Sequence, residues 1–273
     1  MQDLLQGVQP AIRFHVRQSQ WSEEKTQVVD ETTVALMVNG AHYVTVALTP
    51  IDLQAWVVGF LAGEGVIRQP QDLTIFRWYP EEGQLWVRVP GYRRDPNSHA
   101  RYLGSCCGQS RPAFLERAEN VLVHSEIAVT PQQLQRGFAV LNAWSQTQRS
   151  GGLHVAGLAD RSGQLVLTSA DVGRHNALDK VFGQGLCRPE FSLSDHIVLF
   201  SGRLSAEIIA KVARMGCAIV ASNAAPTSLG IKLAGQLGIT AVAFLRQEEL
   251  SIFSHVERVQ CPGDGVWEMK ERG

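Results

Sequence analysis

The sequence predicts an α/β protein in two parts: a smaller β-rich subdomain over residues 1–125, and a subdomain over 126–273 built on parallel strands. Three observations predict it. Asn39-Gly40 joins two apolar runs in "TTVALMVNGAHYVTVAL" (32–48), the strongest short hairpin signal. The pattern changes past Gly151-Gly152. From residue 196 onward, short apolar runs alternate with helical segments across short links, which reads as parallel strands joined by right-handed crossovers.

After the first hairpin, "TPIDLQAWVVGFLAGEGVI" opens a helix. Thr49 is placed to cap it, Pro50 suits its first position, and Asp52 favours its first turn. "LTIFRWY" and "QLWVRV" form a second hairpin around Glu-Glu-Gly. A polar segment over 130–149 is helix-prone and begins at Thr130-Pro131, the arrangement already met at Thr49-Pro50. Beyond Gly152, "LHVAGLAD" and "QLVLTSA" alternate as strands, and "GRHNALDKVFG" places Ala177, Leu178, Val181 and Phe182 at helical spacing. "HIVLF", "CAIVAS" and "ITAVAFL" are the parallel strands. Between them lie a helix closed by Gly216 and a second helix capped by Thr227 and closed by Gly238.

A chain of 273 residues buries a sizeable core, and 45% hydrophobic with 19% charged residues describes an ordinary globular protein. A net charge of −1 gives no pull toward nucleic acid or anionic membrane. No stretch approaches the ~20 apolar residues that span a bilayer. The first residues lack a signal-peptide pattern, and five cysteines do not form a secreted disulfide framework, so a cytoplasmic protein with free thiols is expected.

In open sheets with parallel strands, ligands bind outside the carboxyl ends of the strands. The loops there are Ser201-Gly202-Arg203, the "SNAAPT" segment with Asn223 and Thr227, and Arg246 after the third strand. Glycine, hydroxyls, an amide and two guanidinium groups suit an anionic, nucleotide-like ligand, although each loop alone also reads as an ordinary polar turn. Asp171, Arg174, His175 and Asn176 gather at a helix start, where they either satisfy the backbone or meet an anion.

"LGSCCGQSRPAF" places Cys106 and Cys107 between small and polar residues with Arg101 and Arg111 nearby, a setting that stabilises a thiolate. A quiet loop thiol is the alternative. Cys217 opens a buried strand, and Cys187 and Cys261 stand near prolines without partners. There is no C-x-x-C, so no zinc site is expected, and a disulfide between neighbouring residues is strained, which disfavours a thiol–disulfide oxidoreductase.

With these segments the chain resembles the FdhD family, the sulfurtransferases that serve formate dehydrogenase. The resemblance rests on "TPIDLQAWVVGFLAGEGVI", the cysteine loop, "DVGRHNALDK", "SNAAPTSLGIKLA" and "FSHVERV". It implies a cytidine-deaminase-like α/β core in three layers, a homodimer, and a cysteine that carries persulfide sulfur from a cysteine desulfurase to the molybdenum cofactor, a bis(molybdopterin guanine dinucleotide). In the family the segment after the last parallel strand helps bind that cofactor; here it is Phe244, Leu245, Arg246, Gln247, Glu248 and Glu249. Many members carry C-G-x-C in the loop, whereas this chain has Cys107-Gly108-Gln109-Ser110, so alignment through Gly108 makes Cys107 the persulfide carrier. Glu248 and Glu249 stand where basic residues are common and repel a pyrophosphate, which leaves Arg246 as the anchor. A non-catalytic chaperone that binds the cofactor is the alternative. Deamination is excluded: "His154-Val155-Ala156" lacks the glutamate of H-x-E, and no P-C-x-x-C follows.

Overall fold

The computed structural model describes residues 7–93, 101–103, 121–147 and 152–260. Cys106, Cys107, Ser110, Arg111 and Cys261 lie outside them.

The chain opens with a two-stranded sheet, β1 (Val8–Arg17) against β2 (Gln20–Val29). The 32–48 hairpin is β3 (Thr32–Val38) and β4 (Ala41–Leu48), antiparallel with Val38 opposite Ala41. Asn39 and Gly40 have φ of 53° and 83°, the two left-handed positions of a type I′ turn. Asn39 also ties this turn to the next hairpin: Nδ2 donates to the Val89 carbonyl at 2.9 Å, and Oδ1 accepts from the Val89 N–H at 2.8 Å. β5 (Ile75–Tyr79), β6 (Gln84–Arg88) and β7 (Arg101–Leu103) complete a five-stranded sheet in the order β5-β6-β3-β4-β7, with β7 parallel to β4.

The first helix, α1 (Leu53–Gly63), starts later than Thr49-Pro50 predicts. The physical reason is tertiary. The Thr49 N–H donates to Asp171 Oδ2 at 3.1 Å and its hydroxyl accepts from the Val172 N–H at 3.2 Å, so neither group serves the helix. Asp52 instead holds the N-cap position in a left-handed conformation with no side-chain cap bond. At the second Thr-Pro the expectation holds. α2 (Pro131–Thr147) begins with Thr130 Oγ1 accepting from the Gln133 N–H while Gln133 Oε1 accepts from the Thr130 N–H, a reciprocal capping box.

The second sheet contains β8 (His154–Ala159), β9 (Leu165–Asp171), β10 (Ile197–Phe200), β11 (Ile219–Ser222), β12 (Thr240–Ala243) and β13 (Ser251–Ile252). Its order is β13-β12-β11-β10-β8-β9. β10, β11 and β12 run parallel as expected; β8, β9 and β13 are added antiparallel. The intervening helices are α3 (Arg174–Leu186), α4 (Ala206–Met215) and α5 (Ser228–Leu237), the last two closed by left-handed Gly216 and Gly238. One hydrophobic core spans both large sheets, from Leu36 and Leu85 to Phe200 and Val220.

α1 and α3 join the two sheets. A Cβ on Gly59 would fall 1.8 Å from the Asp179 carbonyl, and one on Gly183 would fall 1.8 Å from the Ala55 carbonyl. Two glycines facing each other let the backbones touch. No described helix is long and apolar enough to cross a membrane.

Candidate functional site

β10, β11 and β12 end along one edge, so the loops after Phe200, Ser222 and Ala243 lie side by side. β8 runs against β10 and begins at that edge with His154; β9 ends there with Asp171. The stretch from Asp171 to Asn176 therefore joins the loops after the parallel strands.

These loops are cross-linked. Ser201 Oγ accepts from the Val155 N–H at 2.9 Å. Ser222 Oγ donates to the Gly202 carbonyl at 2.7 Å and accepts from the Ala224 N–H at 3.0 Å. The Leu245 N–H donates to the Ser222 carbonyl at 3.0 Å. A Cβ at Gly202 would meet the Phe200 ring at 2.7 Å and Arg174 Cβ at 3.1 Å, so glycine is what lets the β10 loop lie against Arg174. Arg203 is exposed beside it.

The "DVGRHN" residues divide into two roles. Asp171 is fully buried and accepts from Lys180 Nζ at 2.7 Å, from the Thr49 and Gly173 N–H groups, and from Asn176 Nδ2. Asn176 also donates to the Ala47 carbonyl and accepts from Trp56 Nε1. This polar knot fastens the five-stranded sheet and α1 to the edge. Arg174 and His175 instead stay partly exposed at the edge. His175 Nε2 lies 3.1 Å from Glu207 Oε2 of α4, a residue that the sequence did not single out. Burial holds the His175 imidazole below its usual range, although Glu207 pulls the other way. Burial lowers His154 too, with Arg174 and His175 adding like charge.

A cleft of about 390 Å³ opens between α2 and the loops after β11 and β12. Gln135, Asn142 and Gln146 of α2 face Asn223, Arg246 and Gln247 across it. Asn223 Oδ1 is buried without a hydrogen-bond partner. Arg246 Nη1 donates to the Asn223 carbonyl at 2.7 Å and to the Leu245 carbonyl at 3.2 Å, so this guanidinium shapes the loop as well as lending charge. Leu245 lines the cleft from the core, whereas Glu248 and Glu249 are exposed. Phe244 holds a left-handed φ of 53° with its ring 40% exposed, an uncommon conformation for an aromatic residue and one that clusters at ligand-binding turns. Thr227 is engaged otherwise: its hydroxyl accepts from the Gly230 N–H and caps α5.

The structure thus brings Ser201, Gly202, Arg203, Arg174 and His175 together at one part of the edge. Asn223 and the 244–247 segment form another part, and Ser222 bridges the two. The α2 carboxamides escaped the sequence reading because a polar helix face resembles any solvated face; their spacing at 135, 142 and 146 on one side of the helix is the signal that could have found them. Cys217 is core, donates to the Leu193 carbonyl, and has its thiol pushed up to about 12 by burial. Cys187 is exposed.

The FdhD/NarQ family model matches residues 29–260. A sulfur carrier protein FdhD from Bacillus pumilus is 37% identical over 248 residues, covering 89% of this chain and 94% of that one. Its counterpart in Bacillus subtilis is 34% identical over 265 residues, covering 95% of this chain and all of the relative. A crystal structure from Desulfotalea psychrophila, described as a formate dehydrogenase accessory protein, superposes with a TM-score of 0.74 at 24% identity, covering 93% of this chain and 99% of that one. At that identity the likeness speaks for the fold alone.

Proposed function

This chain belongs to the FdhD/NarQ family, and from that premise we propose that it is a sulfur carrier in the maturation of formate dehydrogenase. The observation that carries the reading is the shared edge, where loops from three parallel strands, the start of α3 and the carboxamide face of α2 converge.

Cys107 is the carrier. Its thiolate attacks the outer sulfur of a persulfide on a cysteine desulfurase. A new S–S bond forms at Cys107, the donor's S–S bond breaks, and the donor cysteine leaves as its thiolate. The outer sulfur is then delivered to the molybdenum cofactor, a bis(molybdopterin guanine dinucleotide), which is the cargo of the reaction: the Cys107 S–S bond breaks, Cys107 returns as its thiolate, and a thiol reductant supplies the two electrons that take the sulfur to sulfide. Two features support this. β7 runs parallel to β4 and ends at Leu103, opposite Val46, three residues before Thr49, whose N–H bonds to Asp171 at the edge. Cys107 follows Leu103 by four residues, which reach at most about 14 Å.

For the cargo, Asn223 and the α2 amides offer the paired donors and acceptors that a planar base needs, and Arg203, Arg174 and Arg246 offer positive charge to phosphates. The exposed carboxylates of Glu248 and Glu249 oppose it. A cytidine-deaminase-like core and a homodimer complete the reading. Titration with guanosine diphosphate tests the cargo site: Asn223→Ala and Arg203→Ala each weaken binding about tenfold, the loss of one good hydrogen bond to a charged or buried partner. Unchanged affinity in both variants overturns the placement. A protein that binds the nucleotide yet takes up no sulfur is instead a cofactor chaperone.

A further inference from the structure

The β1–β2 hairpin is a sheet of its own, and an isolated two-stranded hairpin is marginal in water. Its turn gives little help, because Gln18 and Ser19 occupy the two left-handed positions with φ of 50° and 65°, where neither residue is favoured. Nevertheless the hairpin carries the three most exposed large apolar side chains described, Trp21 at 76%, Phe14 at 65% and Ile12 at 60%, with Val16 at 52% beside them. The register places all four on one face, since Val16 pairs with Trp21, Phe14 with Glu23 and Ile12 with Lys25. The opposite face carries the Arg13–Glu24 ion pair at 2.6 Å. An apolar patch on one side of a hairpin that cannot bury it alone marks an interaction surface. The hairpin precedes residue 29, where the family match begins, except for its last residue.

The occupant is fixed by the charges on the same face. Glu23 and Lys25 are both exposed and two residues apart. Consider two such faces stacked about a twofold axis that lies between them, perpendicular to the strands, at the level midway between these residues. Glu23 of each copy then faces Lys25 of the other, Phe14 faces Ile12, and Val16 faces Pro10. An axis along the strands would instead set Phe14 against Glu23. The first arrangement also lays Trp21 over Gln27 of the other copy, so the charges pair reciprocally and the face is self-complementary, the property an isologous contact needs.

We infer that the apolar face of the β1–β2 hairpin docks on the same face of a second copy of this chain, with reciprocal Glu23–Lys25 pairs setting the register. The homodimer expected of the family's architecture is thereby given an interface, and this assignment rests on the hairpin and not on sulfur transfer.

Sedimentation velocity of the full chain over a range of micromolar concentrations tests it. Wild type sediments as a dimer, and Phe14→Glu as a monomer with unchanged far-ultraviolet circular dichroism, since the ring lies outside the core. Glu23→Lys and Lys25→Glu each weaken the dimer at least tenfold, and the double variant E23K/K25E restores it. Persulfide uptake by the monomeric variant is measured in parallel, so that a failure of the interface and a failure of sulfur transfer read separately. A monomeric wild type, a dimer that survives Phe14→Glu, or a double variant no better than the singles overturns the inference.

Discussion

Asp171 is the residue on which the edge depends. It is buried with Lys180 and receives four donors, so removing it strands a cation in a core that cannot hydrate it. Asp171→Ala is expected to cost about 3–5 kcal/mol, the range for breaking one partner out of a buried pair, and urea denaturation reads it as a lower midpoint. Asn176 belongs to the same knot, whereas Arg174 and His175 of the four clustered polar residues stand partly exposed at the edge. From sequence, inward and outward members of "DVGRHN" look alike. What separates them is the Thr49 N–H and Lys180, brought close only by folding.

At the scale of elements, the same dipeptide behaves in two ways. Thr130-Pro131 caps α2, whereas Thr49-Pro50 gives its polar groups to Asp171 and Val172. Local pattern decides a cap only where no buried partner competes for it. Thr130→Ala should therefore cost about 1 kcal/mol through the lost helix cap. Thr49→Ala should cost about 1–3 kcal/mol without change in helix content, because the Val172 N–H is left unpaired. Thermal unfolding followed by circular dichroism distinguishes the two. The strand–helix alternation of β10 to β12 was legible because each strand is a short apolar run bounded by caps and glycines. The β1–β2 hairpin was not, because Gln18-Ser19 carries no turn signal. Between α1 and α3, Gly59→Ala meets a carbonyl and cannot be absorbed by a side-chain shift. Its expected cost is about 1–3 kcal/mol or more, with loss of the α1–α3 contact.

On the scale of the whole molecule, α3 and α4 are linked by a buried pair, Asp179 with Lys211. Burial raises Asp179 from 3.8 to about 6 against the opposing pull of Lys211, with Glu64 and Asp171 adding to the rise. A carboxyl with a raised pKa binds its proton more readily in the folded state. Its contribution to stability is therefore greatest below about pH 4, falls as pH rises to about 6, and is constant above. The stability difference between wild type and Asp179→Asn, measured by denaturation from pH 4 to 7, should change across that window and nowhere else. A flat difference contradicts the raised value. The Asp179–Lys211 pair, together with the facing glycines of α1 and α3, holds the frame on which the shared edge is built.

The most direct test of the proposed sulfur carriage is the mass of the protein after incubation with a cysteine desulfurase and cysteine. The account predicts a gain of one sulfur atom, mapped by peptide to Cys107, absent in Cys107→Ala and largely kept in Cys106→Ala. An undiminished gain in Cys107→Ala would contradict it.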